Sequence, residues 1–95
     1  MAEIPYRIFE TRQFLSALQH LDPSVRLPIQ KKLETYVYPQ LHHEPHAGSN
    51  IKKLRGWSPQ TWRYRIGPWR FFYEIHDEER MVYLLTLTHR RDAYR

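Results

Sequence analysis

The sequence predicts an α+β fold in the order β-α-α-β-β-β, with a helical hairpin packed on one face of a mainly antiparallel sheet. Apolar residues recur at helical spacing between residues 11 and 37. At the start of the chain and in its last third, apolar and polar residues instead alternate, as in strands with one buried face. The 95 residues are enough for one domain, residues 1–95, and leave no room for a second.

The first strand and the first helix follow from these two periods. The segment IPYRIFE alternates and is predicted as a strand. Phe14, Leu18 and Leu21 then lie at helical spacing, and Thr11 before them is a suitable N-cap. We therefore expect a short helix directly after the first strand.

A second helix is predicted to begin at Asp22 and Pro23, a capping residue followed by a first-turn proline. Because Pro28 lacks an amide proton, either the helix kinks there or its regular part begins near Leu27. The apolar face of this helix is formed by Val25, Ile29, Leu33 and Tyr36 or Val37. The short link predicts an antiparallel hairpin, and the segment YPQLHHEPHAGSN that follows is predicted as a loop.

Three strands are predicted to close the chain, from Thr61 to Gly67, from Trp69 to His76 and from Met81 to Thr88. The dipeptide GP and the acidic segment DEER supply the turns between them. Alternation assigns the following residues to the side that faces the helices: Trp62, Tyr64 and Ile66, then Trp69, Phe71, Tyr73 and Ile75, then Met81, Tyr83, Leu85 and Leu87.

Arginines collect on the other side of this predicted sheet. Because successive side chains alternate, Arg63, Arg65 and Arg70 share the uncovered side with Phe72 and Glu74. We call this surface the arginine face. The chain has a net charge of +5, and residues 52–70 contain no acidic residue but six basic ones: Lys52, Lys53, Arg55, Arg63, Arg65 and Arg70. Such a field attracts a polyanion, and the alternative is an ordinary solvated basic face.

Several other chemistries lack the residues they need. The chain has no cysteine, which excludes disulfides and thiolate metal sites and favours a cytoplasmic protein. His42, His43 and His46 match no common zinc spacing, so we predict no metal site and no cofactor. The chain contains neither a glycine-flanked serine nor a glycine-rich phosphate loop. Its beginning shows no signal peptide and no spanning segment, so we expect a soluble protein without membrane contact.

Single-stranded nucleic acid suits the arginine face, because guanidiniums bind phosphates and exposed aromatic rings stack on bases. Phe72 and Tyr94 are the candidate stacking residues. Attack of an RNA 2′-hydroxyl on its neighbouring phosphate further requires a proton acceptor and stabilisation of the added negative charge. Arginine stays protonated in proteins and serves only the second role. His89 and Tyr94 are therefore the candidates for proton transfer, with ordinary surface residues as the alternative reading.

The segments KKLRG, WRYRIGPWRFFYEI and RMVYLLTLTHRRDAY, together with the opening YRIF strand, resemble the RelE/ParE toxin superfamily. Within it, the chain is most similar to the RelE-like messenger-RNA interferases of type II toxin–antitoxin systems. The resemblance extends over nearly the whole chain and implies a RelE-like microbial ribonuclease fold. For function, it implies a ribosome-dependent endoribonuclease that cleaves translated mRNA in the A site by 2′-hydroxyl attack and so inhibits translation.

The resemblance also implies roles for individual residues. Arg55 resembles a phosphate-binding arginine, Arg70 one that stabilises the transition state or assists the leaving group, and Tyr94 a tyrosine that stacks on or orients the RNA. Arg63 and Arg65 occupy two basic strand positions, where the best-known RelE toxin has lysines, so a lysine base cannot be transferred to this chain. The base is therefore left open between His89, Tyr94 and a contribution from the ribosome. The remaining implied RNA-binding residues are Lys52, Lys53, Phe72, Arg90 and Arg91.

The resemblance implies protein partners as well. A cognate antitoxin with an acidic, partly disordered segment is expected to wrap the helices and the arginine face, giving a toxin–antitoxin hetero-oligomer. The mRNA and the ribosome are the expected targets. Two alternatives remain: a ParE-like protein that inhibits DNA gyrase without catalysis, and an inactive toxin relative that acts only within a complex.

Overall fold

A five-stranded mixed sheet forms one layer of the protein, with the strands in the order β1-β5-β4-β3-β2. The computed structural model describes residues 4–90. The strands are β1 (Arg7–Glu10), β2 (Ile51–Lys53), β3 (Trp62–Ile66), β4 (Trp69–His76) and β5 (Met81–His89). The helices are α1 (Arg12–Gln19), α2 (Pro23–Lys32) and α3 (Tyr38–His43), with a π-helical turn, Leu33–Val37, between α2 and α3. Two helical segments on a mixed sheet confirm the predicted α+β class.

The edge strand β1 explains why both helical segments lie on the same side of the sheet. It pairs with β5 in parallel, whereas the other neighbouring strands are antiparallel. A parallel pair needs a long crossover, and here the helices and the intervening strands provide it. The opposite edge strand, β2, was missing from the sequence prediction. With three residues, of which only Ile51 is apolar, it is too short to show a period, and it forms by pairing with β3.

Thr11 joins α1 to the sheet. Its hydroxyl oxygen accepts a hydrogen bond from the backbone N–H of Phe14 at 3.2 Å, and the hydroxyl donates to the Leu84 carbonyl at 2.6 Å. The predicted N-cap is therefore confirmed, and it also sets where the helix leaves β1. Phe14 and Leu18 are buried from α1, as their spacing predicted.

The second helical segment is longer than predicted, because α2, the π-helical turn and α3 are continuous. It is already helical at Pro23, so the regular helix does not begin near Leu27. The prediction of a loop over residues 38–50 was wrong for Tyr38–His43. Pro39 made this part look like a loop, since proline lacks an amide proton and its ring crowds the carbonyl four residues earlier. The π-helical turn just before it, where the Tyr38 N–H reaches back to the Leu33 carbonyl, widens the helix and accommodates the ring.

The same turn keeps one apolar stripe facing the sheet. Ile29, Leu33, Val37 and Leu41 are all buried and lie four residues apart. In a regular α-helix each step of four residues moves the position by about 40° around the axis, so three steps would carry Leu41 out of the stripe. The wider π turn reverses part of that drift. The stripe therefore packs against the sheet along its whole length.

The core between helices and sheet confirms the predicted inner residues of β3 and β4 but corrects those of β5. Tyr64, Phe71 and Tyr73 are buried, and Trp62, Ile66, Trp69 and Ile75 pack against the core. On β5, Leu87 is buried as predicted, but Val82 and Leu84 replace Met81, Tyr83 and Leu85. The reason is a bulge: Phe72 pairs with Thr86 and Tyr73 with Leu84, so Leu85 is an extra residue that shifts the alternation.

Among residues 4–90, no helix combines the length and the apolar character needed to cross a membrane.

Candidate nucleic-acid interface on the arginine face

The strand register brings the predicted arginines together. Arg65 is the direct partner of Arg70 across β3 and β4, and Arg63 is the partner of Phe72. Lys52 on β2 pairs with Arg63 and so extends the same row. Directly paired residues share a sheet face with Cβ atoms about 4.5–5.5 Å apart, and diagonal neighbours lie about 7–8 Å apart. Four cationic residues of the described chain, Lys52, Arg63, Arg65 and Arg70, therefore lie in two adjacent rows of the arginine face.

The arginines differ in exposure. Arg70 is only 7% exposed, Arg63 is half-buried, and Arg65 is exposed. The Arg65 Nε donates a hydrogen bond to the Gly67 carbonyl at 3.2 Å, which directs its side chain toward the β3–β4 turn. A buried guanidinium has few conformations open to it, so it loses little side-chain entropy when it meets an anion. The charge of Arg70 is therefore held in one position, whereas the exposed side chain of Arg65 can adjust to a ligand.

An aromatic residue that the sequence prediction overlooked lies on this face. Trp57, in the loop between β2 and β3, stacks on Phe72 with ring centroids 6.0 Å apart and an interplanar angle of 19°. Trp57 is 54% exposed. Gly56 before it has φ +75°, a left-handed conformation that favours glycine, so the turn into Trp57 depends on that residue. The sequence signal for this position is a tryptophan inside the basic segment, and the prediction of Phe72 and Tyr94 as the stacking residues left it out.

His89 lies on the other side of the sheet. Strand β5 continues through His89, one residue further than predicted, and alternation turns its ring toward the helices. There it is the partner of Trp69, and the two rings meet edge to face with centroids 5.1 Å apart. On the arginine face, the corresponding β5 residue is Thr88, the partner of Arg70. The register therefore places His89 on the opposite side of the sheet from Arg63, Arg65 and Arg70.

The other predicted RNA-binding residues lie on the helix side of the sheet, in a loop, just after β5 or outside the described residues. Lys53 lies on the helix side, with its Nζ 5.7 Å from the centre of the Trp62 ring. Arg55 is exposed in the loop after β2. Arg90 is exposed, and its backbone N–H donates to the Pro68 carbonyl at 2.6 Å. Arg91 and Tyr94 lie outside the described residues 4–90.

A second polar cluster sits where the segment after α3 meets the β4–β5 turn. The His46 Nδ1 lies 2.8 Å from a Glu44 carboxylate oxygen, and its Nε2 lies 2.8 Å from Asp77. Tyr6 donates its hydroxyl to the same Asp77 oxygen at 2.5 Å. This bond from Tyr6 is the main reason that the pKa of Asp77 lies below its usual value, and the hydrogen bonds from His46 likewise lower the pKa of Glu44. These contacts link three segments that are distant in sequence: the residues before β1, the segment after α3 and the β4–β5 turn.

The HHEPH segment thus has a structural role in the described part of the chain. His42 also contacts Tyr6, whose backbone carbonyl lies 2.5 Å from the His42 Nδ1. Within residues 4–90, no group of three or more histidine, cysteine or acidic side chains is arranged to hold a metal ion.

Helices packed on a mixed five-stranded sheet match the architecture of solved RelE toxin structures. The sequence model of the ParE toxin of type II toxin–antitoxin systems matches residues 8–94, and the chain belongs to this family. It is therefore a toxin of the type II toxin–antitoxin class. Curated protein sequences yield no significant match.

Solved structures similar to this chain come from bacteria and archaea. The RelBE2 toxin–antitoxin complex of Mycobacterium tuberculosis matches at 27% identity with a TM-score of 0.70, covering 94% of this chain and 95% of that one. The RelE–RelB complex of Pyrococcus horikoshii matches at 26% identity with a TM-score of 0.57, covering 90% and 96%. The isolated RelE toxin of E. coli, at 23% identity and a TM-score of 0.61, covers 88% and 83% and shows the fold alone.

Proposed function

We propose that this toxin is an endoribonuclease that cleaves translated mRNA in the ribosomal A site. The single observation that carries the proposal is the pairing of Arg65 with Arg70 beside Arg63 on one open sheet face. Cleavage by 2′-hydroxyl attack adds negative charge to the phosphate in the transition state, and fixed cations beside that phosphate stabilise it. A charge arrangement of this kind has no structural purpose in a sheet, since like charges in directly opposite positions destabilise the pairing of strands.

The proposed division of labour follows from exposure. Arg70, buried and held in place, stabilises the phosphate in the transition state. Arg65 and Arg63 bind the scissile phosphate or its neighbour, and Lys52 extends the path of the RNA backbone along the same row. Guanidinium and ammonium groups carry hydrogen-bond donors and no acceptor, so these side chains do not serve as the base.

Proton transfer therefore needs another residue. Glu74 and His76 also lie on the open side, with a contact of 3.2 Å between them, but Glu74 is four residues along β4 from Arg70. At about 3.3 Å per residue that is about 13 Å, too far for direct transfer. The ring of His89 contacts Trp69 on the helix side. Of the two residues considered from the sequence, we therefore favour Tyr94 as the group that exchanges the proton.

We further propose a cognate antitoxin as the partner. Two of the similar solved structures are complexes of RelE-type toxins with their antitoxins. This chain offers a cleft of about 210 Å³ between α2 and the sheet, lined mainly by apolar residues that include Val25, Ile66 and Trp69. Leu27 and Tyr36 are exposed nearby on the same helical segment. An amphipathic antitoxin segment would cover these apolar groups, and its acidic part would neutralise the arginine face.

The experiment that tests the activity maps the 5′ ends of messages after the toxin is induced. We expect new ends within translated codons for the native chain, and none when translation is blocked beforehand. Arg65→Ala should weaken growth arrest, whereas Arg12→Ala, a matched exposed arginine on α1, should leave it unchanged. Growth arrest without any new message ends would refute cleavage.

The family match favours one other candidate function, inhibition of DNA gyrase, because the matching model is that of ParE toxins. A gyrase inhibitor would induce the DNA-damage response and leave message ends unchanged. The same end-mapping experiment, read together with a DNA-damage reporter, separates the two activities.

A further inference from the structure

Trp57 has an arrangement that packing alone does not explain. Its indole lies nearly parallel to the Phe72 ring, 6.0 Å away, and yet Trp57 remains 54% exposed. The other two tryptophans, Trp62 and Trp69, are both half-buried and pack against the core. A large aromatic side chain is normally well buried, so an indole that stacks on Phe72 and is still exposed to solvent indicates a binding surface.

The support from Phe72 matters for binding. Phe72 extends from the middle of β4, where β3 and β5 hold it on both sides. Stacking on this fixed ring restricts the rotation of the Trp57 side chain. A ligand that stacks on the outer face of Trp57 therefore pays less of the side-chain entropy that ordering a free loop tryptophan would cost.

The position of the stack relative to the arginines indicates what that ligand is. Phe72 is the direct partner of Arg63, and Arg65 lies two residues along β3 from Arg63, at the diagonal spacing of about 7–8 Å from Phe72. Lys52 lies in the same row beyond Arg63. An exposed aromatic plane next to cations is the combination that binds single-stranded nucleic acid, with a base on the ring and phosphates on the cations.

We propose that Trp57, supported by Phe72, stacks on a nucleobase of a single-stranded RNA whose neighbouring phosphate is bound by Arg63 and Arg65. This inference rests on the proposed function for the choice of RNA as the ligand. It replaces Phe72 with Trp57 as the residue that touches the base, because Trp57 is the exposed member of the stacked pair and Phe72 is half-buried. It also assigns to the β2–β3 loop a part in positioning the message.

Binding of a short fluorescent single-stranded RNA, measured by anisotropy, tests the proposal. One set of oligonucleotides is intact, and in another set the base is removed at one position at a time while the ribose and phosphate remain. With the native chain, we expect one abasic position to weaken binding by about 5- to 150-fold, the range that corresponds to one stacked base. Trp57→Leu, which keeps an apolar side chain beside Phe72, should weaken binding of the intact RNA by the same factor, and Trp57→Phe should retain most of it.

The decisive comparison combines the two changes. Trp57→Leu should bind the RNA that lacks the stacked base as tightly as the native chain binds it. Equal losses for intact and abasic RNA, or no loss of intact RNA binding in Trp57→Leu, would overturn the proposal. The measurement of native protein on abasic RNA needs no variant, so equal binding of the intact RNA and of every abasic RNA would overturn the proposal even if Trp57→Leu folds poorly by circular dichroism.

Cleavage in a cell-free translation reaction separates this inference from the proposed function. If the native chain cleaves no message but shows base-dependent RNA binding through Trp57, the endoribonuclease proposal fails and the stacking site stands. If the native chain cleaves and Trp57→Leu binds RNA normally, the stacking site fails and the activity stands. Failure of the native chain to bind the RNA at all refutes the stacking site whatever the cleavage result.

Discussion

The different burial of Arg70 and Arg65 leads to a quantitative prediction for the proposed cleavage reaction. Arg70 is 7% exposed, whereas Arg65 is exposed to solvent. Two unit charges about 4 Å apart interact by about 4 kcal/mol at the effective dielectric constant of a partly buried site, and by about 1 kcal/mol in water. Each 1.36 kcal/mol, roughly, changes a rate tenfold. Arg70→Ala should therefore slow cleavage by about 10³-fold, and Arg65→Ala by about 5-fold.

Single-turnover cleavage of a message on stalled ribosomes, read by primer extension, measures both losses. Because mobile ions screen exposed charges more than buried ones, raising the salt concentration should shrink the Arg65→Ala effect and leave the Arg70→Ala effect nearly unchanged. Arg70→Lys keeps the charge but not the planar fork of donors, so its rate should fall between those of the native chain and Arg70→Ala.

Circular dichroism and thermal unfolding of each variant serve as controls, since Arg70 is buried and its removal also perturbs packing. Equal rate losses for Arg65→Ala and Arg70→Ala in folded protein would refute the idea that burial sets the strength of each charge. Native rates in both variants would remove the arginine face from the mechanism altogether.

Two further predictions concern stability. Tyr73 is fully buried and donates its hydroxyl to the Pro45 carbonyl at 2.8 Å, so Tyr73→Phe leaves that carbonyl without its hydrogen bond. Unfolding in urea should show that the free energy of unfolding falls by about 1–3 kcal/mol. An unchanged midpoint would mean that water replaces the hydroxyl. The pKa values of Asp77 and Glu44 are lowered in the folded state. These carboxylates therefore stabilise the fold at pH values above their ordinary pKa values of 3.8 and 4.5. That stabilisation is lost as the pH falls through the lower pKa values of the folded state. Asp77→Asn should therefore flatten the acid limb of the stability curve measured by thermal unfolding, and a curve identical to that of the native chain would contradict the assignment.

Local sequence patterns predicted much of the fold. The N-cap Thr11, the proline at the start of α2 and the alternation of WRYRI and WRFFY are features of neighbouring residues, and the structure confirms each of them. The same alternation placed Arg63, Arg65 and Arg70 on one face without any knowledge of pairing. Within a strand, the side of each residue depends only on its position along that strand.

The sequence by itself therefore determined the α+β class, the helix-facing residues of β3 and β4, and the identity of the basic face. Only the tertiary structure decided the rest. The bulge at Leu85 exchanged the inner and outer residues of β5 before it, the extension of that strand turned His89 to the helix side, and pairing with β3 created β2. It also set Trp57 on Phe72, fifteen residues away in the chain. These outcomes depend on register and on contacts between residues distant in sequence, so the local spacing of apolar residues does not predict them.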